Sequence, residues 1–440
     1  RHTRCSRDWS SDVCSFRSTL KTITGWSIIL LTIFSAWLIY YFKGLDYFFL
    51  GLLAFEIILV IRYSKGFTPG MLRFIQIILG LLFMFSGIVK GVDPMGTAYR
   101  IEDYFAAYQT EWANPAAIFL SFVMNASEFV LGALLLFNIK PKTTIWLVVA
   151  MMILFTVTTI NDAITNPVPD CGCFGDAIIL TNWQTLYKNL VIDAVVLVLL
   201  LNKNRLKTFL NKTMELSLAG VFIAAFLGFE YYNFANLPVL DFMPWKVGNK
   251  AIPDNPQPIK YYLTYRNTTT GETKEYLSPD YPYNDSVWMA NWKFVSQRVE
   301  NPNTIPGMDL AIIDFNGTDV TSGYLENPDY YFFVVAWDLQ TTNTKAFKAI
   351  DDLYKNSEAN NLSLIVLTAS LPGEAEKFRK QYVLSPDLGF FNADDIILKT
   401  MVRANPGLML MKDGQVLAKW HFNNLPDWKE LEEDFLMGHD

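Results

Sequence analysis

Apolar positions are not spread evenly along this chain. From Gly25 to Phe234 long apolar runs follow one another with short polar connections, whereas from Asn249 onward the pattern is that of an ordinary soluble acidic domain. A helix needs about 20 apolar residues to cross the bilayer core. Seven stretches reach or approach that length: 23–42, 45–63, 71–89, 116–137, 143–160, 186–201 and 215–234. The sixth is the shortest, and it lengthens if Trp183 anchors its start at the interface. The pattern predicts an all-α polytopic membrane bundle of about seven spans, in contact with lipid, followed by a soluble α/β domain.

The soluble half opens at 249–306 with a proline-rich linker, 251–258, and a polar segment with turn signals at Thr270-Gly271 and Asn284-Asp285. Within 307–440 the patterning is regular. Residues 310–315 before Asn316-Gly317 predict the start of a hairpin. Strands are expected at 330–337 and 362–368, and helices at 344–357 and 373–382. A hairpin at 407–411 and 416–420 turns at Lys412-Asp413-Gly414-Gln415, and a helix follows from Asp427. Strands alternating with helices and then a closing hairpin imply an α/β sandwich.

Charge adds orientation. The loops after the second, fourth and sixth stretches carry Arg62, Lys65 and Arg73, then Lys140 and Lys142, then Lys203, Arg205, Lys207 and Lys212, with no acidic residue among them. The other loops collect the acidic residues, including Asp46, Asp93, Glu102, Asp103, Asp170 and Asp176. Basic loops stay in the cytoplasm. This places the N-terminus inside and both the 166–176 loop and the soluble domain outside, in an oxidising compartment where disulfides persist. A net charge of −7 leaves no basic footprint for nucleic acid.

Residues 1–18 are set aside. Arg7 to Ser15 resembles the translation of a sequencing adapter, and the segment has neither apolar periodicity nor a signal-peptide core. Cys5, Cys14 and His2 leave with it, so Cys171, Cys173, His421 and His439 remain. No histidine falls in the membrane half.

Three carboxyls, Glu56, Glu128 and Asp193, interrupt apolar runs. A charge at mid-membrane costs at least about 2.5 kcal/mol, so each reads either as a functional contact or as a carboxyl that hydrogen-bonds neighbouring helices together. Asn125 precedes Glu128 by three residues on one helical face, a polar face that suits a quinone headgroup. After Lys90, the Asp93-Pro94 pair marks a turn into an interfacial amphipathic helix.

The chain's chemistry concentrates in Asp170-Cys171-Gly172-Cys173-Phe174-Gly175-Asp176. Prolines before the pair and glycines within it forbid regular helix and favour a tight turn. A Cys-x-Cys disulfide closes a small ring and is easily reduced, as a thiol–disulfide relay requires. The competing reading is a permanent loop staple. Two cysteines are too few to hold zinc, so no metal is predicted. Lys90 and Lys188 are the only candidate groups to activate a thiolate, while Asp170 and Asp176 would raise a thiol pKa.

The stretch Gly80 to Gly96, with Gly87, Lys90, Asp93 and Pro94, followed by Glu128 and Gly132, resembles the opening half of DoxX-family membrane proteins. The cysteine loop resembles that of the related MauE proteins, which are associated with maturation of the disulfide-rich methylamine dehydrogenase. The resemblance covers a four-helix core at 71–201, with two extra helices at 23–63 and one at 215–234. It implies a place in periplasmic thiol or quinone redox chemistry, with a client or thiol–disulfide partner. Residues 307–440 resemble a thioredoxin-like domain, in which Pro406 matches a cis proline at the active site. Where that family places Cys-x-x-Cys, after Trp337, this chain has Asp338-Leu339-Gln340-Thr341, so the module is expected to be redox-dead. Asp338 then reads as a surviving site residue or as a cap or turn acceptor. Two functions remain open: redox maturation through Cys171 and Cys173, or a non-enzymatic scaffold whose outer domain binds a client.

Overall fold

The computed structural model describes residues 22–436 except 36–45, 209, 254–256, 259, 301 and 304. Residues 1–18 and His439 lie outside the described residues. The chain divides into two compact units between Leu240 and Asp241.

The first unit comprises α1 (Thr22–Ser35), α2 (Asp46–Tyr63), α3 (Pro69–Val92), α4 (Pro94–Ala107), α5 (Ala117–Leu136), α6 (Pro141–Thr165), the short strand β1 (Cys173–Asp176), α7 (Asn182–Asn202) and α8 (Lys212–Ala235). Among the described residues, α3, α5 with the 3-10 turn before it, α6, α7 and α8 are long and apolar enough to cross a membrane. Of the other two expected spans, the first is described only to Ser35, and α2 carries Asp46, Glu56 and Arg62 in its 18 residues. The chain is a multi-pass membrane protein.

Local signals set the helix ends. Thr68 accepts from Met71 N ahead of Pro69 at the start of α3, and Asp93 accepts from Gly96 N ahead of Pro94 at the start of α4. Thr181 and Gln184 cap α7 reciprocally. Asn166 ends α6 in the left-handed region.

Small residues fix how the helices approach. A side chain at Gly80 or Gly132 would meet backbone of the facing helix at under 3 Å, and one at Gly87 would strike Phe129. Close approach of α3 and α5 therefore requires glycine at these positions. One face of α3, including Leu72, Ile75, Leu79 and Phe83, is buried, while Phe74, Ile78, Leu81 and Phe85 on the other face are exposed for lipid. α8 packs on α5 through Phe226, stacked 4.3 Å from Phe129. The carboxyls Glu56 and Asp193 hydrogen-bond helix to helix, accepting from Ser35 and Thr156 respectively.

The second unit holds two sheets. β2 (Lys260–Asn267), β3 (Thr273–Leu277), α9 (Ser286–Asn291) and β4 (Trp292–Glu300) form an antiparallel sheet of order β3-β2-β4. The segment left without a fold by its polarity is thus ordered, with Tyr265, Tyr276 and Trp288 clustered beneath it. Then come α10 (Thr321–Leu325), β5 (Tyr330–Val335), α11 (Phe347–Ala359), β6 (Ser363–Thr368), α12 (Pro372–Gln381), β7 (Gly389–Asn392), α13 (Asp395–Met401), β8 (Gly407–Lys412), β9 (Gln415–His421) and α14 (Trp428–Leu431). The second sheet has order β7-β6-β5-β8-β9. β7, β6 and β5 are parallel, β8 runs antiparallel to them, and β9, antiparallel to β8, runs in their direction again. Phe332, Val334, Leu364, Val366, Leu408 and Leu410 bury the sheet's face against Phe347, Ile350 and Phe378.

The turn expected at Asn316-Gly317 forms a short hairpin, with Asp314 N donating to Thr318 O and Val320 N to Ile312 O, although neither arm is long enough to be a strand. Asp314 accepts from the amides of Asn316 and Thr318, and Ile313 bridges to Asn392 and Asp319. The Asp314 carboxylate closes the turn from within while the backbone pairs across it.

Candidate functional site

The cysteine loop sits against α3, α4 and α7. Asp170 anchors it from two sides, its Oδ1 accepting from Gly172 N and its Oδ2 pairing with Arg100 at 3.0 Å. Gly172 adopts φ +62°, a left-handed conformation that glycine takes without steric cost. Gly175 N returns to Gly172 O at 2.9 Å. At the loop's far end, Ser86 Oγ on α3 donates to Cys173 O at 2.8 Å. Asp176 comes beside Asp93 at Gly96, where any side chain would collide with both carboxylates. Phe174 is buried against Phe85, with ring centroids 5.9 Å apart. Asp93 and Pro94 act as the cap and first residue of α4, the helix that carries Arg100.

Cys171 and Cys173 are free thiols, half-buried, with their sulfurs 2.9 Å apart. The contact divides their acidity. Cys173, stabilised as a thiolate by the hydrogen bond from Cys171, by the charge of Lys188 and by that of Lys90, which Glu128 opposes, is pulled down to about 6. Cys171, which donates that bond and is buried, is pushed up. Asp170, expected to oppose a thiolate, is paired with Arg100.

Beneath the pair, Glu128 is not free to receive a ligand. Its Oε1 accepts from Lys90 Nζ, and its Oε2 lies 2.5 Å from Ser86 Oγ. Asn125 shares its helical face as expected, but its amide contacts Lys90 O and Ser121 Oγ. A cavity of about 20 Å³ lies among Ser86, Lys90, Glu128, Cys173, Lys188 and Asn189, room for a water and not for a quinone ring. The residues named for a quinone therefore do not fit one in this arrangement. Arg100, Ser86 and Tyr104, which donates to Asp162 at 2.7 Å, were not singled out by sequence.

In the second unit, the residues expected at a thioredoxin-like site do come together. The Asn405–Pro406 peptide is cis. Asn405 Nδ2 donates to Asp338 O at 3.0 Å, and Thr341 Oγ1 donates to Asp338 Oδ2 at 2.7 Å. Asp338 also accepts from Gln340 N, so it closes the turn as a side-chain acceptor. Trp337 is buried beside it.

Residues 68–202 match the family described as methylamine utilisation protein MauE. No curated protein and no solved structure matches the chain. The matched segment contains α3 to α7 and the whole cysteine loop, so the helical core that carries the thiol pair is similar to MauE proteins over its whole length.

Proposed function

We propose that this protein performs thiol–disulfide exchange with a protein partner on the outer side of a bacterial inner membrane, using Cys173 as nucleophile and Cys171 as resolving thiol. The observation that carries the reading is the 2.9 Å contact between two free thiols of opposed acidity. A low-pKa thiolate beside a protonated partner is the arrangement such exchange needs.

The Cys173 thiolate attacks one sulfur of a partner disulfide, forming a mixed disulfide and releasing one partner thiolate. Cys171 loses its proton and attacks Cys173 Sγ, which releases the second partner thiolate. The partner gains two electrons and, on protonation, two thiols; this chain keeps a Cys171–Cys173 disulfide. The reverse sequence oxidises a partner. Arg100, Asp170 and Ser86 hold the loop so that both sulfurs stay in reach. The small cavity beside Glu128 supports direct exchange between thiols and a partner disulfide. The distribution of Lys and Arg among the loops supports the outward orientation.

Glutathione disulfide tests the reading. Wild-type protein is expected to release two glutathiones per disulfide consumed, and Cys171→Ser to stop at a glutathione adduct on Cys173. A wild-type protein that forms no adduct and no internal disulfide contradicts it.

A second reading keeps the outer domain as the working part. Its sheet order and cis Pro406 support a thioredoxin-like module, and the Asp338–Thr341 hydrogen bond occupies the place of a redox pair. On this reading the domain binds a client and the spans anchor it. Loss of cellular function on deleting 249–440, with Cys171→Ser silent, favours that alternative.

A further inference from the structure

We propose that Lys188 supplies the counter-charge that makes Cys173 a thiolate, whereas Lys90, in the same cavity wall, is neutralised for that purpose by Glu128. The assignment deepens the exchange reading and names the group on which its nucleophile depends.

The argument starts from one face of α7. Thr185, Lys188, Asn189 and Ile192 recur at helical spacing, and the last three line the cavity together with Cys173. Phe174, the residue after Cys173, is buried against Phe85, and the Lys188 ammonium lies 4.7 Å from its ring centroid. A ring face attracts a cation without cancelling its charge, so the ammonium is held on the residue next to Cys173, in the wall of the cavity they share. Among the described residues no carboxylate forms an ion pair with Lys188.

Lys90 differs. Its ammonium bonds Glu128, and the two side chains are 5% and 2% exposed. Seen from Cys173, a tight pair of opposite charges acts as a dipole whose two contributions oppose each other. The other cation on the elements packed around the pair is committed to carboxylates. On α4, Arg100 serves Asp170 and Asp103. From α6 the wall is Met152 and Phe155. On α8, Glu230 lies against Gly91. Lys188 is left as the uncompensated positive charge.

That charge acts in both directions of exchange. It favours the thiolate when Cys173 attacks, and it favours the same thiolate as leaving group when the internal disulfide is opened.

The test uses the full chain in detergent micelles with Cys5→Ser and Cys14→Ser, and follows iodoacetamide alkylation of Cys173 against pH. The parent midpoint is expected near 6. Lys188→Met is expected to raise the midpoint by about one unit or more and slow alkylation about fivefold or more at the parent midpoint. Lys188→Arg is expected to restore it, and Lys188→Gln serves as a second neutral variant should the methionine protein fail to fold. Lys90→Met combined with Glu128→Gln is expected to leave the midpoint near the parent value. An unchanged midpoint in both neutral Lys188 variants overturns the proposal, as does an equal shift in the Lys90/Glu128 double variant. Alkylation needs no partner, so a lysine-dependent profile without glutathione exchange would sink the exchange reading and leave this assignment standing.

Discussion

Arg100 Nη2 lies 3.0 Å from Asp170 Oδ2, joining helix α4 to a loop 70 residues further along the chain. Both side chains are mostly buried, and Asp170 simultaneously holds Gly172 N. Arg100→Gln is expected to free the loop while leaving the helices in place. The stability loss should be about 1 kcal/mol, since the pair is only partly withdrawn from water. Hydrogen exchange localises the effect: amides of 170–176 should exchange faster, and those of α3 and α5 should not change.

The acidity of Cys173 sets a pH window. Its folded pKa, about 6, lies below the ordinary thiol value of 9.0. The folded state therefore gains stability as pH rises from about 6 to about 9, and loses it as pH falls back through 6. Reduced parent protein should show this rise in thermal midpoint, and Cys173→Ser should not.

The same acidity fixes the redox slope. Below pH 6, oxidation of the pair releases two protons with two electrons, so the potential should fall by about 59 mV per pH unit. Above pH 6 only Cys171 has a proton to lose, and the slope should halve to about 30 mV. A single slope from pH 5 to 8 contradicts the division of acidity between the two thiols.

Gly132 faces Met84 N and Gly80 O at distances that leave no room for a methyl group. Gly132→Ala should cost about 1–3 kcal/mol by overpacking. It should also separate α3 from α5, so Cys173 alkylation should change as Lys90 moves from Glu128. Thermal unfolding in detergent and the alkylation profile check both effects.

In the second unit, Asp338→Ala removes an acceptor shared by Gln340 N and Thr341 Oγ1. A loss of about 1 kcal/mol is expected, with no effect on the Cys171–Cys173 potential. A shifted potential would show that the outer domain takes part in thiol chemistry.

Much of this arrangement is legible in the sequence, and the failures share a cause. The cysteine loop announces itself because prolines and glycines exclude regular structure. Lys90 and Lys188 stand out because no histidine is present to take their place. Ser86 and Arg100 do not stand out: their partners lie 87 and 70 residues away, and a serine or arginine among aromatics carries no periodic signal. β7 spans four residues and α13 seven, too short for periodicity to register. β2 and β3 expose both faces in part, so the apolar alternation that marks a half-buried strand is missing. At Asn316-Gly317 the Asn-Gly signal marks a turn that does form, with Ile313 and Asp319 bridged across it.

The most direct test is a redox titration of Cys171 and Cys173 in membranes containing the full chain, with Cys5 and Cys14 replaced by serine. Thiols are trapped with a mass-tagging maleimide after equilibration against graded glutathione ratios. The account predicts one two-electron transition between dithiol and disulfide, at a potential above about −300 mV, the range of labile disulfides. A pair locked as dithiol or as disulfide across the whole range contradicts it and leaves the cysteine loop a structural staple.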